Sequence, residues 1–142
     1  MMPKATVIRP SDVMLFEVDQ TYSSRMIIDH TNSETKNIQI NQGIVKAGCR
    51  LSGHAHTPPY DEVYIVASGN ATLQLGKEIY DVTAGDVIFI PGGVFHALAN
   101  KSDTENFVVF TVWSQLPERG ANGVYDMRLD AWGKSFRLSS EV

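Results

Sequence analysis

The sequence predicts an all-β domain, and three observations support this prediction. Apolar residues occur in short runs rich in Val, Ile, Phe, Tyr and Thr, the residues favoured in strands. Glycine, proline, asparagine and aspartate separate these runs, as they do in chains with many turns. Apolar spacing typical of an amphipathic helix is hard to find. Because 142 residues suit one domain, we expect a single β-sandwich or closed barrel.

Nine short strands account for most of this domain. They are predicted at Val13–Val18, Arg25–Ile28, Asn37–Lys46, Glu62–Ala67, Ala71–Leu75, Glu78–Thr83, Asp86–Ile90, His96–Ala99 and Phe107–Trp113. Gly76-Lys77 predicts a tight hairpin. Pro91-Gly92-Gly93 predicts a turn that sends the chain back antiparallel to the preceding strand. The tail from Pro117 has no dominant pattern, and residues 124–129 fit either a strand or a short turn of helix.

The composition narrows the classes of function. The chain is 43% hydrophobic and 20% charged, as expected of a globular protein with its own core. Its net charge is −4 and its basic residues are scattered, so we expect no nucleic-acid partner. Cys49 is the single cysteine, which excludes an intrachain disulfide and a cysteine zinc cluster. Without an apolar stretch long enough for a signal peptide or a membrane span, the sequence predicts a cytoplasmic protein with no membrane partner.

Three histidines and a glutamate stand at positions that suit metal binding. His54 and His56 are two residues apart, so on an extended chain they share one face. Glu62 opens the next predicted strand, and His96 lies early on the strand after the Pro-Gly-Gly turn. Neutral imidazole binds divalent iron, zinc, nickel, copper and manganese. A bare His-x-His pair also occurs by chance on protein surfaces, so the metal prediction depends on all four residues together.

The two stretches that contain these residues resemble the two motifs of the cupin superfamily. The first motif runs from a glycine across five residues to His-x-His, then to a glutamate and, after six intervening residues, a glycine. The second runs from a glycine across five residues to Pro-x-Gly, then to a histidine and an asparagine. The matching positions are Gly48, His54, His56, Glu62 and Gly69 in the first motif, and Gly85, Pro91, Gly93, His96 and Asn100 in the second.

The resemblance covers about residues 37–113 and implies a small single-domain protein, a monocupin. The implied fold is the cupin-type β-barrel, also called a double-stranded β-helix or jelly roll. Residues 1–142 then form one domain, with N-terminal strands in residues 1–36 and a C-terminal tail, residues 114–142, as extensions. The resemblance also implies a homodimer, in which the first strands or the tail cover an exposed sheet edge.

One spacing departs from the family pattern. Five residues, Thr57–Asp61, separate His56 from Glu62, where the family usually has three or four. Asp61 would satisfy a gap of four, whereas the spacing to Gly69 selects Glu62. Strand register tolerates less change than loop length, so we predict that Glu62 is the carboxylate ligand.

The resemblance implies one divalent metal ion per chain, held by His54, His56, Glu62 and His96. The ion is Fe, Mn, Zn, Ni or Cu, and the sequence does not choose among them. Three neutral imidazoles and one carboxylate give a site charge of about +1, and an octahedral sphere keeps about two positions open. Open positions and positive charge favour an anionic or oxygen-chelating ligand.

Four further residues are candidates for the chemistry around the ion. Tyr64 shares the face of Glu62 on a regular strand, and with Tyr60 it is a candidate for proton transfer. Arg25 and Arg50 are candidate substrate clamps, because guanidinium binds carboxylates in a bidentate manner. For each of these residues an ordinary packing or surface role remains open.

Two main hypotheses about function follow. The first is a metal-dependent enzyme acting on a small oxygenated metabolite, such as a carboxylate, a dicarbonyl or a sugar acid, through dioxygenase- or lyase-type chemistry that includes decarboxylation. A metal-dependent isomerase or cyclase is a further alternative. The second is a non-catalytic small-molecule-binding or sensory barrel, and a storage or structural barrel is a third reading. We also predict that Phe89, Phe110 and Trp113 are core residues and that His30 is at the surface.

Overall fold

Ten strands form two antiparallel sheets in the computed structural model, which describes residues 4–29, 32–56, 58 and 60–113. The bounds are β1 Phe16–Glu17, β2 Tyr22–Ile28, β3 Gln39–Val45, β4 Arg50–His54, β5 Glu62–Ser68, β6 Asn70–Leu75, β7 Glu78–Thr83, β8 Val87–Ile90, β9 His96–Asn100 and β10 Phe107–Trp113. The surface prediction for His30 and the alternatives for the tail lie outside the described residues. No helix in this described part has the length and apolar character needed to cross a bilayer.

The two sheets pack face to face around one core. The larger sheet has the order β1-β2-β3-β10-β5-β8, and the smaller has the order β4-β9-β6-β7. The core joins side chains of both sheets, among them Val45, Val66 and Phe107 from the larger and Leu73 and Leu98 from the smaller. This arrangement confirms the prediction of an all-β, jelly-roll barrel.

The N-terminal region and the first motif differ in detail from the predicted strands. Pro10–Asp12 forms a 3-10 turn, and the strand predicted over Val13–Val18 is reduced to the two residues of β1. Proline at the start of this turn has the φ angle that a helical turn requires. Arg50–His54 forms β4, which was not among the nine predicted strands, because its mixed sequence lacks an apolar run.

The Pro-Gly-Gly turn carries the chain between sheets, and the predicted return beside the preceding strand is wrong. Among the described strands, β8 pairs with β5, whereas β9 pairs with β4 and β6. Gly93 adopts a φ of 89°, and its amide donates a 2.6 Å hydrogen bond to the His56 carbonyl. This bond fixes the turn against the loop that follows β4, and so directs the chain into the smaller sheet.

The asparagine of the second motif ties three backbone segments together. The Asn100 side-chain amide donates to the carbonyls of Val45, at 3.1 Å, and Glu105, at 2.8 Å. Its oxygen accepts a hydrogen bond from the Ser102 amide. These bonds hold the end of β9 against the end of β3 and fix the loop that leads to β10.

The larger sheet has a partly polar inner face and a largely apolar outer face. In β3 the polar residues Gln39 and Asn41 are fully buried, whereas Ile40 and Ile44 are half-buried on the opposite face. In the edge strand β8, Phe89 is 61% exposed, so its prediction as a core residue is wrong. The reason is that Ile88 and Ile90 occupy the inner face of this short strand, which leaves Phe89 pointing outward.

Candidate metal site

The smaller sheet brings the three motif histidines together. His54 ends β4 and lies opposite His96, the first residue of β9. The pairing is irregular between Leu51 and His54, which allows both Leu51 and His54 to face inward. His56 follows two residues later, and its ring centroid is 5.0 Å from that of His54. One ligand nitrogen from each of the three rings lies within 4.8 Å of the others.

Glu62 approaches this cluster from the larger sheet. It begins β5, is 3% exposed, and places Oε1 3.0 Å from His56 Nε2 and 3.4 Å from His96 Nε2. Its other oxygen, Oε2, accepts a hydrogen bond from the indole Nε1 of Trp113. Trp113 lies directly opposite Glu62 in the pairing of β10 with β5. One carboxylate oxygen of Glu62 therefore faces the histidines, and the other faces the indole.

Asp61, the alternative carboxylate, has a different environment. It is exposed, and its Oδ1 accepts a 3.0 Å hydrogen bond from the backbone amide of Gly92. This bond ties the loop before β5 to the turn before β9. The structure thus brings Glu62, and not Asp61, beside the histidines.

The chemistry of His96 fits a metal ligand. Its Nδ1 lies 3.0 Å from the Val94 carbonyl. Because a carbonyl only accepts, Nδ1 carries the hydrogen, and in the neutral ring Nε2 presents a lone pair. That Nε2 is buried without a hydrogen-bond partner among the described residues. A second bond that fixes the ring and a free lone pair directed at a cluster are typical of metal-ligating histidines.

The contact of one carboxylate with the histidine rings, together with burial, shifts the pKa values of His54, Glu62 and His96. Desolvation, followed by the neighbouring imidazoles of His96 and His56, lowers the pKa of His54 to about 4, although part of its ring faces solvent. Burial opposes ionisation of Glu62, but its contacts with His56 and His96 outweigh burial and lower its pKa to about 2. Burial likewise opposes charge on His96, yet the facing Glu62 carboxylate and the Val94 carbonyl raise the pKa of His96. Glu62 therefore stays anionic and His54 stays neutral at neutral pH.

The two tyrosine candidates lie at different distances from this chemistry. Tyr64 is buried on the same face of β5 as Glu62, and its ring meets that of His96 edge-on at 5.9 Å. Tyr60 is half-buried in the loop before β5, packed through its backbone against Gly92. Tyr64 is the tyrosine that the structure brings to the histidine cluster.

The two arginine candidates face away from the cluster. Arg25 pairs with Gln42 on the outer face of the larger sheet, where its guanidinium donates to Gln42 Oε1 and to the Val13 carbonyl. Arg50 is exposed and lies opposite Ala99, on the outer face of β9. The structure does not bring either guanidinium to the cluster, because both strands point alternate residues outward.

Three inner-face residues of the site were not identified from the sequence. Trp113 was expected only as core, but its indole also binds Glu62. Asn41 and Thr111 are buried on the inner face beside Tyr64. The sequence did contain one indication of a polar inner position, because Thr111 interrupts the apolar residues Val109 and Trp113 on the same face of β10.

Comparisons with known proteins agree with this geometry. The family model described as a cupin domain matches residues 44–113, which include all ten motif positions. An uncharacterized protein of Streptomyces coelicolor, SCO3923, is 35% identical over 77 residues, which cover 54% of this chain and 71% of that protein.

Solved structures match a larger share of the chain. The structure of KdgF from Halomonas sp. matches with a TM-score of 0.68 at 15% identity, over 82% of this chain and 97% of that one. A predicted oxalate decarboxylase from Thermotoga maritima matches with a TM-score of 0.68 at 18% identity, over 78% of this chain and 100% of that one. At such low identities these two structures show a shared fold alone.

Proposed function

Because the chain belongs to the cupin superfamily, we propose that it is a metal-dependent enzyme acting on a small oxygenated metabolite. The observation that carries the proposal is the convergence of three imidazole nitrogens within 4.8 Å of one another, with the Glu62 carboxylate against two of the rings. The ligands are His54, His56, His96 and Glu62. The substrate is a carboxylate, a dicarbonyl or a sugar acid.

The residues of the proposed site have different chemical roles. A divalent ion supplies Lewis-acid polarisation of a carbonyl, and a redox-active one supplies dioxygen chemistry as well. The neutral imidazoles and the single carboxylate leave a charge of about +1, which attracts anions. His54, with part of its ring in solvent, lies on the side from which a substrate enters. Tyr64 supports the ring of His96, and its hydroxyl is the first candidate for proton transfer, with Tyr60 as the second.

The reaction proposed is of the dioxygenase or lyase type. The structural neighbour described as a predicted oxalate decarboxylase is a reason to include oxalate among the compounds screened. A binding or sensory barrel without turnover is the second candidate. It is favoured by one observation, the neutral character of Asn41, Thr111 and Gln39 on the inner face, which offers few groups for acid–base catalysis.

The test is reconstitution followed by an activity screen. The full chain is depleted of metal, loaded separately with iron, manganese, nickel or zinc, and assayed for oxygen uptake and substrate loss with carboxylates, dicarbonyls and sugar acids. We expect turnover with at least one ion, its loss in His96→Ala, and its retention in Thr72→Val, a change on the outer side of β6. Metal-dependent binding without turnover of any compound would favour the binding barrel.

We also propose that two copies associate through the outer face of the larger sheet. Val87 and Phe89 on the edge strand β8 are 66% and 61% exposed, and Ile65 lies beside Val87 in register. An exposed apolar patch on a sheet face is a site against which a second chain can pack. A second copy is the occupant we favour, because a two-fold contact covers the same apolar patch on both chains at once.

A further inference from the structure

A polar row crosses the inner face of the larger sheet beside the candidate metal site. Thr111 on β10 lies opposite Asn41 on β3 and opposite Tyr64 on β5, so the three form a continuous row across neighbouring strands. All three are buried. Trp113, two residues along the same face of β10, binds Glu62. Tyr64 and Glu62 are two residues apart on the same face of β5, so the row lies next to the proposed carboxylate ligand.

The hydroxyl of Thr111 has no hydrogen-bond partner among the described residues, and its Oγ1 is buried. The neighbouring Asn41 amide is already held, since it accepts from Ser24 Oγ and donates to Tyr22 Oη at 3.1 Å. Buried hydroxyls are nearly always paired, so an unpaired one beside a binding site indicates that a water molecule or a ligand oxygen completes it.

In the described part of the chain, no lysine or arginine lies on this inner face to neutralise a second carboxylate of a ligand. Within residues 4–29, 32–56, 58 and 60–113, every lysine and arginine is exposed or directed outward, as Arg25 and Arg50 are. A carboxylate buried against the neutral row would lose its hydration without gaining a cation. A hydroxyl or keto oxygen, in contrast, both fits the row and pairs with Thr111.

We propose that Thr111 binds a neutral oxygen of the ligand, and that the site therefore selects a monocarboxylate bearing hydroxyl or keto groups over a dicarboxylate. The ligand's carboxylate lies at the metal end, and its uncharged oxygens extend along Thr111 and Asn41. This inference rests on the proposed function, because it assumes that the histidines hold an ion.

The experiment compares three acids of equal carbon number on the cobalt-loaded full chain. Hexanoate has no hydroxyls, gluconate has a hydroxylated chain, and adipate has a second carboxylate. Titration calorimetry measures affinity, and the cobalt absorption spectrum distinguishes binding at the ion from removal of the ion. We expect gluconate to bind about three- to tenfold more tightly than hexanoate, because one satisfied buried hydroxyl contributes a factor of this size. Gluconate should also bind more tightly than adipate, whose second carboxylate would be buried without a cation.

Two variants distinguish the effect of losing the Thr111 hydroxyl from an effect on folding. Thr111→Val keeps the shape and removes the hydroxyl, so gluconate affinity should fall about three- to tenfold while hexanoate affinity stays the same. The metal-free Thr111→Val protein should melt no lower than wild type, since an unpaired buried hydroxyl is removed. Thr72→Val is the matched control and should bind gluconate as wild type does, because Thr72 lies opposite Ala99 on the outer face.

The outcomes are distinct. Unchanged gluconate affinity in Thr111→Val, or adipate binding as tight as gluconate, would overturn the inference while leaving the metal site intact. Failure of every acid to bind the cobalt-loaded chain would overturn it as well. Failure of the wild-type chain to retain cobalt at all would instead remove the proposed function on which the inference rests.

Discussion

Trp113→Phe should weaken metal binding by about 10- to 100-fold, the range observed when a partner that orients a metal ligand is removed. In the structure, the indole Nε1 donates to Glu62 Oε2, while Oε1 faces His56 and His96. A hydrogen bond to a charged group contributes about 1.5–3 kcal/mol, which corresponds to about one or two powers of ten in affinity. Without it, the buried carboxylate loses both a partner and its orientation.

The assay is competition for zinc against a chelator of known affinity, with folding of each variant checked by circular dichroism. The matched control is Phe107→Leu, which reduces a fully buried ring at the far end of the same strand face and does not touch Glu62. Both variants remove buried ring volume and should lower stability by about 1–2 kcal/mol, less than complete truncation to alanine costs. Zinc affinity within about threefold of wild type in Trp113→Phe, or an equal loss in Phe107→Leu, would refute the positioning role.

Three further predictions address the ligand set, the charges and the assembly. His96→Ala should abolish tight metal binding while Asp61→Ala retains it, and the reverse ranking by chelator competition would mean that the register is misassigned. The metal-free chain should be most stable near pH 6.5. Folding lowers the pKa of His54 from 6.5 to about 4, so below pH 6.5 the unfolded state binds a proton that the folded state does not, and the free energy of unfolding falls. It falls further as the pH drops from 4.5 toward the Glu62 pKa of about 2. Above pH 6.5, the raised pKa of His96 means that the folded state holds a proton that the unfolded state has lost, and the free energy of unfolding falls as the pH rises and this proton is lost too. Urea denaturation at each pH is the measurement, and stability that rises from pH 6.5 to pH 5 would refute the prediction for His54. Light scattering should give about twice 15.7 kDa for wild type and a monomer for Phe89→Lys, and a wild-type monomer would remove the proposed dimer.

The fold and the histidine cluster could be predicted because their signals are local. Strand runs and turn residues depend on near neighbours in sequence, and the spacing of the two motifs fixes the positions of His54, His56 and His96. The phase of β5 was also predictable, since Glu62, Tyr64 and Val66 are all buried on one face. Alternation along a strand places such residues together whatever the rest of the chain does.

The inner face of the larger sheet could not be predicted, because in β3 the polar residues, and not the apolar ones, face inward. Apolar alternation in β3 would place Ile40 and Ile44 inside, yet the structure buries Gln39 and Asn41. Inside and outside are decided by which face meets the smaller sheet, and this depends on long-range pairing. The alternation rule fails in β3 because polar side chains face the smaller sheet and apolar side chains face outward.

The arginine candidates illustrate the same limit. Residue type alone identifies Arg25 as a possible clamp, but its register opposite Gln42 turns the guanidinium to the outer face. The partner of Glu62 was likewise hidden, since Trp113 lies 51 residues away along the chain and meets the carboxylate only through the pairing of β10 with β5.

Elemental analysis of the metal content tests whether His54, His56, Glu62 and His96 form a metal site. The full chain is purified without a histidine tag or chelator, and its content of first-row metals is measured beside that of His96→Ala. We expect close to one divalent ion per wild-type chain, on its own or after reconstitution, and almost none in the variant. A wild-type chain that neither carries nor takes up any ion, or a variant that holds it equally well, would show that these four residues do not form a metal site.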